Sequence, residues 1–306
     1  MRAIKTLTLA ITLALSALAL AAPAAPTPEQ IADLQQRAEQ GDAKAQSTLG
    51  YLYSAGLGLP HDDAKSVLWY TKAADQGEAM AANNLGFMYT EGKGVAHNPA
   101  KAAVYLQKAA DQGMDAAQYT LGRMYAEGDG VRKNEKTAAK YYQKAADQGL
   151  APAEYALGQL YVEGKGVDKD DKLGLVLTEK AAKQDDMYAQ YSLGIMYVTG
   201  QGTWQDYGQG AHWFQLAANK GMPEAEYIVG TLYQYGMGVP LDAKQGSTWI
   251  ARADAAGFSA AKAKNAHILD MLGITDPGNG TAPRSSVCFM ADPAGNNNYQ
   301  SLCDVH

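Results

Sequence analysis

AANNLGFMYTEGKGVAHNPAKAAVYLQKAADQG, residues 81–113, is text that this 306-residue chain writes six times with small changes. Near copies sit 36 residues upstream and at successive 36-residue steps downstream. Self-similarity at such a period marks a stacked array, in which each unit buries its apolar face against the next. Inside the quoted copy, Ala81, Leu85, Met88 and Tyr89 fall at i, i+4, i+7 and i+8, one face of a helix. Gly92 follows, where a helix end needs a residue at positive φ. Asn98-Pro99 supplies an N-cap and a favoured first helical residue. Ala102, Tyr105, Leu106, Ala109 and Ala110 then mark a second helix that stops at Gly113. The unit is helix, glycine turn, helix, turn. Two helices of about a dozen residues are marginal alone, so each must pack on its neighbours.

The copies agree position by position. A small residue recurs as Ala45, Ala81, Ala117, Ala153, Ala189 and Ala225, and a tyrosine as Tyr53, Tyr89, Tyr125, Tyr161, Tyr197 and Tyr233. With the Leu85 column, these are expected to form the core of the first helices. A mid-helix glycine recurs as Gly50, Gly86, Gly122, Gly158, Gly194 and Gly230. It costs about 1 kcal/mol relative to alanine, so its retention predicts close approach of two helices. The second helix opens each time on Asp62, Asn98, Asn134, Asp170, Asp206 or Asp242.

Outside the repeats the composition changes. Residues 1–21 read as a cleavable secretory signal, with Arg2 and Lys5, an apolar run over 7–20 and the A-x-A site Ala19-Leu20-Ala21. An N-terminal anchor is the alternative, but the run is short and ends in small residues and prolines. No cysteine stands beside the site to carry a lipid. The expected destination is the periplasm, with an extracellular one left open. No later stretch reaches 18 continuous apolar residues, so no membrane insertion is expected after cleavage. The formal net charge is −6, and loss of Arg2 and Lys5 makes the mature chain more acidic still. With no basic stretch, this argues against nucleic acid and anionic membranes as partners.

Residues 22–27 read as a Pro/Ala linker, and 28–41 as an N-terminal capping helix that Thr27 caps and Pro28 opens. The six repeats run over 42–257, and 258–272 read as a C-terminal capping helix whose Ala261 keeps the phase. Residues 273–306 form an irregular tail rich in Gly, Pro, Asn and Ser, holding the chain's two cysteines. In an exported protein Cys288 and Cys303 are expected to form a disulfide, closing a loop of about 15 residues worth roughly 3 kcal/mol. Two readings of the tail stay open: a stapled end of the array, or a projecting binding loop.

Repeats four and five depart from the pattern. Asp185 stands where the other copies end in glycine, and the fifth turn reads Gly202-Thr203-Trp204 with Tyr207 following. Gly208, Gly210 and Gly246 enter near the second-helix starts. These changes read either as drift that a repeat tolerates or, at Trp204 and Tyr207, as an aromatic loop contact for a partner.

The unit A-x-x-x-L-G-x-x-Y-x-x-G-x-G-V, then Asp or Asn, then K-A-A-x-x-G, resembles the Sel-1-like repeat, a relative of the tetratricopeptide repeat. The resemblance covers about 42–257. It implies an all-α fold, a right-handed α/α superhelical solenoid whose first helices line a concave side. It implies an adaptor or scaffold with no shared active site, its members including secretion-associated, immunity and envelope-regulatory proteins. One cysteine-rich branch is associated with β-lactam binding or hydrolysis and carries a disulfide in every repeat; no repeat here holds a cysteine.

The residues with chemical potential give little support to catalysis. The GxGV turns lack the strand–loop–helix context of a phosphate site. Ser259-Ala260-Ala261-Lys262 matches S-x-x-K, but no K-T-G accompanies it and Ser259 sits where an N-cap belongs. His61, His97, His212, His267 and His306 form no metal-ligand spacing, so neither metal nor cofactor is expected. Glu91, Glu127 and Glu163 stand one repeat apart and read as a charged face.

Positions that repeat hold the fold, and positions that vary are free to face a partner. The varying i, i+3, i+7 column of the first helices contains Tyr51; Asn84, Phe87 and Glu91; Arg123 and Glu127; Gln159 and Glu163; Ile195; and Tyr235. If this column is concave, it forms a groove with apolar ends and an acidic middle, with Tyr51, Phe87, Ile195 and Tyr235 as anchors. The expected function is a non-enzymatic periplasmic scaffold that binds a protein or peptide there. The alternatives are a cell-wall or β-lactam-acting hydrolase and a purely structural spacer.

Overall fold

The computed structural model describes residues 25–258, and within them the chain is all-α, a solenoid of helical repeats. The signal segment, the start of the linker, Ser259, nearly all of the C-terminal cap and the tail with Cys288 and Cys303 lie outside the described residues. Thirteen helices are present among the described residues, with no strand. They fall into two compact units, one ending at Asn98 and one beginning at Pro99. The first holds α1 (Pro28–Glu39), α2 (Ala43–Ala55), α3 (Asp63–Asp75) and α4 (Ala79–Glu91). The second holds α5 (Pro99–Asp111), α6 (Asp115–Glu127), α7 (Glu135–Ala146), α8 (Ala151–Glu163), α9 (Asp171–Lys183), α10 (Met187–Thr199), α11 (Tyr207–Asn219), α12 (Pro223–Tyr235) and α13 (Ala243–Ala255). Within each unit every helix packs on its neighbours in sequence.

Local chemistry sets the helix ends. The Thr27 hydroxyl accepts from the Gln30 N–H while the Gln30 side chain accepts from the Thr27 N–H, a reciprocal capping box. Asp62, Asn134, Asp170, Asp206 and Asp242 each accept a backbone N–H three residues on. The first helices of the repeats end on left-handed glycines, as at Gly128, whose N–H donates to the Met124 carbonyl. The second turn glycine has a further task. A Cβ on Gly166 (φ +70°) would lie 2.3 Å from the backbone of Glu135, where the preceding repeat opens its second helix.

The mid-helix glycine permits close packing. A Cβ on Gly122 would lie 2.7 Å from the Tyr142 ring. Gly210 and Gly246, open to a reading as drift, are packing positions too. A Cβ on Gly246 would meet the Gln234 Cγ at 2.7 Å.

The core differs from expectation in one column. Leu49, Leu85, Leu121, Leu157 and Leu193 are fully buried, as are the alanines. Their other apolar partners are Leu52, Met88, Met124, Leu160, Met196 and Leu232. The tyrosines one residue on, Tyr53 to Tyr233, are only half-buried. A phenol at the edge keeps its hydroxyl wet and uses its ring laterally: Tyr125 stacks on Tyr141 at 5.8 Å, and Lys65 lies 5.2 Å from the Tyr53 centroid.

A buried polar column joins consecutive repeats. Gln46 Nε2 donates to the Ala38 carbonyl at 2.9 Å, Gln118 to Ala110 at 3.2 Å and Gln190 to Ala182 at 3.2 Å. Each carbonyl belongs to the last turn of the preceding helix, where it also accepts the backbone N–H of Gly41, Gly113 or Asp185. From the other side, Gln76 and Gln148 donate to the Gln46 and Gln118 side-chain oxygens at 2.7 and 2.8 Å. The fourth and sixth copies place carboxylates here. Glu154 accepts from Gln184 at 2.7 Å, and Glu226 pairs with Arg252 at 2.6 Å. Burial raises the Glu154 carboxyl above the usual glutamate range.

The junction between repeats four and five is irregular. Asp185 (φ +70°) takes the left-handed position that glycine takes in the other copies. Lys220 donates to its carbonyl, and to its carboxylate at 2.9 Å. Where Lys220 stands the earlier copies have glutamine, and the buried Gln190 Oε1 accordingly has no hydrogen-bond partner.

Candidate protein-interaction surface

In the first unit the varying column opens outward. Tyr51 on α2 is 52% exposed and Phe87 on α4 is 42% exposed, with Glu91 exposed beyond it. Asn84 is half-buried, its amide donating to the Tyr70 hydroxyl at 3.1 Å, so it also serves the fold. Lys93 lies 5.1 Å from the Phe87 ring centroid and leaves the ring accessible. Between α1 and α2 lies an open cleft of about 690 Å³, which Tyr51, Thr48, Leu34 and Leu52 line.

In the second unit the column is polar before it is apolar. Arg123 Nε stands 3.8 Å from Glu127, and Glu163 pairs with Lys165 at 2.6 Å. Gln159 is half-buried beside them. Surface pairs of this kind contribute little to stability and leave both charges available to a partner. The last two copies close the column. Ile195 packs against the core around Phe214. Ile228 and Thr231 are buried, and Thr231 satisfies itself by donating to its own Tyr227 carbonyl. Tyr235 likewise rests on that core, so Ile195 and Tyr235 are part of the packing instead of free-standing anchors. Nearby, the Tyr227 ring meets Phe258 at 5.7 Å.

The altered fifth turn separates its two aromatics. Trp204 is 92% exposed, the most open large apolar side chain among the described residues. Tyr207 is partly buried and accepts from Gln205 at 3.1 Å, and burial raises its phenol above the usual range. Leu241 on the next turn is also open.

Sequence reading passed over a second tyrosine column, Tyr119, Tyr155, Tyr191 and Tyr227, spaced 36 apart and legible in principle. These rings lie half-buried between first helices and their hairpin partners. Tyr119 meets Tyr142 at 5.8 Å, Tyr191 meets Phe214 at 5.6 Å, and the Tyr155 hydroxyl bonds Ser192 of the next repeat at 2.8 Å. Desolvation pushes the Tyr191 phenol up to about 12. They are a seam between repeats with their polar tips at the varying column.

Among the described residues no group of three or more His, Cys, Asp or Glu is placed to hold a metal, and no helix is long and apolar enough to cross a membrane. His61 and His97 turn their Nδ1 atoms to the Ser54 and Thr90 carbonyls at 2.8 and 2.6 Å, bracing their turns.

The Sel1 repeat signature matches residues 43–78, 79–114, 115–150, 151–186, 188–222 and 223–253. Among solved structures, c5321, a protective antigen of uropathogenic Escherichia coli with an SLR fold, is 33% identical with a TM-score of 0.73. That match covers 78% of this chain and 51% of the antigen's, so this chain spans about half its length. A Sel1 repeat protein from Oxalobacter formigenes is 30% identical with a TM-score of 0.67, covering 74% of this chain and 90% of that one. The immunity protein Pa5087 of Pseudomonas aeruginosa is a more distant match, 24% identical with a TM-score of 0.43, covering 75% and 83%. No curated protein sequence matches the chain. Six matched repeats and the two solved relatives at 30% identity or more place the chain in the Sel1 repeat family, whose repeats build protein-interaction scaffolds.

Proposed function

We propose that this protein is an exported, non-enzymatic scaffold that holds a protein or peptide partner on the varying faces of its first helices, in the periplasm. The observation that carries the reading is the split between columns. The alanines and leucines that repeat along the first helices are buried, while Tyr51, Phe87 and Arg123 differ between copies and face solvent or half-open surface beside Glu91, Glu127 and Glu163. Residues spent on neither packing nor capping are the ones free to set specificity. Trp204 adds a separate loop contact. Export rests on the signal-like segment 1–21. Within this class a secretion accessory, an immunity protein and an envelope regulator share the same architecture.

The test is capture from an envelope extract at physiological salt, using the mature chain and its Phe87→Ala and Arg123→Ala variants. Retention of a defined protein that both variants weaken supports the reading. Retention indifferent to both, or none, argues for a structural spacer.

A further inference from the structure

The cleft between α1 and α2 has a chemistry of its own. Leu34 and Leu52 form its apolar floor and Tyr51 one wall. Glu29 and Asp33 stand on its rim one turn apart on α1, which places both carboxylates on the same side. Arg37 completes that row, but its guanidinium is taken: Nη2 and Nε donate to Asp42 at 2.6 and 3.1 Å. Asp33 lies 3.9 Å from the same guanidinium, which cannot neutralise both acids. With Arg37 and Asp42 cancelling, the rim keeps an excess of negative charge. The Glu29 carboxyl is held below its usual range by its own backbone N–H and by Thr27, so it is ionised at neutral pH.

We propose that this cleft binds an extended segment of a partner protein that places apolar side chains on Leu34, Tyr51 and Leu52 and a lysine or arginine between Glu29 and Asp33. This rests on the scaffold reading above and names the chemistry of one of its contact points. A volume of about 690 Å³ exceeds one side chain and suits several residues of an extended strand. Tyr51 supplies the rigid aromatic surface that interface anchors favour. The carboxylates supply orientation and select against acidic sequences.

The experiment is fluorescence anisotropy of the full mature chain with a labelled short peptide alternating leucine and lysine. A leucine–glutamate peptide and a leucine–serine peptide serve as comparisons. The lysine peptide is expected to bind, and the glutamate peptide not. Tyr51→Ala is expected to weaken it about tenfold, and Glu29→Gln with Asp33→Asn about tenfold. Tyr51 is exposed, so thermal melts should show each variant folded. Neutralising Glu224 and Asp254 instead, two exposed acids of the second unit, should change affinity less than about twofold. Equal weakening by the two neutralised pairs would reduce the effect to diffuse attraction and overturn the proposal, as would equal binding of all three peptides. Self-association lost in Tyr51→Ala would assign the cleft to a second copy and also overturn it. If no peptide binds while Phe87→Ala and Arg123→Ala still impair capture, this inference fails and the scaffold reading stands.

Discussion

Val198 and Gly210 are fitted to each other: a Cβ on Gly210 would lie 2.3 Å from Val198 Cγ1. The same two positions hold Val162 with Gly174 and Gln234 with Gly246, in contact distances of 2.6 and 2.7 Å. In the third repeat they hold Ala126 and Ala138, and in the first Ser54 and Ser66. In the last three copies a larger residue on the first helix is matched by the loss of a side chain on the second, whereas the second repeat sets Thr90 against Ala102. Gly210→Ala should destabilise the fold by about 1–3 kcal/mol, the usual cost of overpacking. Val198→Ala in that background should recover most of the loss, because it rebuilds the Ala126–Ala138 pair. Denaturant melts of the four-member cycle measure it, and additive effects would refute the fit.

Glu154 should couple stability to pH. Its folded-state pKa is raised, so the native chain holds a proton that the unfolded chain has released. Stability is therefore lost as pH rises from the ordinary glutamate value through the folded one. Glu154→Gln restores the neutral pair that Gln118 makes with Gln148. It should stabilise by about 1 kcal/mol near pH 7.5 and by much less near pH 4. Thermal melts at the two pH values check this, and an equal gain at both would remove the charge from the explanation.

The junction of repeats four and five should be improvable only as a set. Asp185→Gly with Lys220→Gln reproduces the letters Gly113, Gln118 and Gln148 of the third repeat around Gln190. The pair of changes relieves a left-handed aspartate and supplies a donor for the buried Gln190 oxygen. The double variant should gain about 1–2 kcal/mol. Each single change should gain less than half of that, because it breaks the Asp185–Lys220 contact. A single variant as stable as the double would contradict the coupling.

Trp204→Ala should leave the melting temperature within about 1–2 °C of the parent, since a side chain 92% exposed has little packing to lose. The emission of the parent less that of the variant, which isolates Trp204 from Trp69, Trp213 and Trp249, should be that of a water-exposed indole and shift to the blue on addition of the captured partner. An unshifted spectrum at saturation would remove Trp204 from the contact.

The purified mature chain should not turn over a chromogenic β-lactam. Turnover abolished by Ser259→Ala would replace the scaffold reading with the hydrolase one.

The fold was legible because its signals are local. A 36-residue period, glycines past each helix end and an Asp or Asn before the next require no knowledge of contacts. The tyrosine column was placed too deep because Met88 and Tyr89 share one broad face at a period of 3.6, and periodicity alone does not say which turns inward. The packing of Ile195 and Tyr235 was hidden because it depends on the core that Phe214 and Trp249 bring from other helices. The Gln46, Gln118 and Gln190 column was unreadable for a similar reason: each glutamine serves a carbonyl of the helix before it, and its letter has no local role. Tyr51 and Phe87 were readable as outward-facing because they vary where the neighbouring columns do not.

The glutamine column bears on how such an array lengthens. Gln46, Gln118 and Gln190 each finish a helix that belongs to the unit before their own. The copies between them hold Ala82, Glu154 and Glu226 at this position, so the amide contact returns only at every second repeat. A segment of two periods therefore carries both kinds of junction, while a single period brings two like copies together. A new partner-facing surface can be added in two-repeat steps with the alternation of junctions preserved.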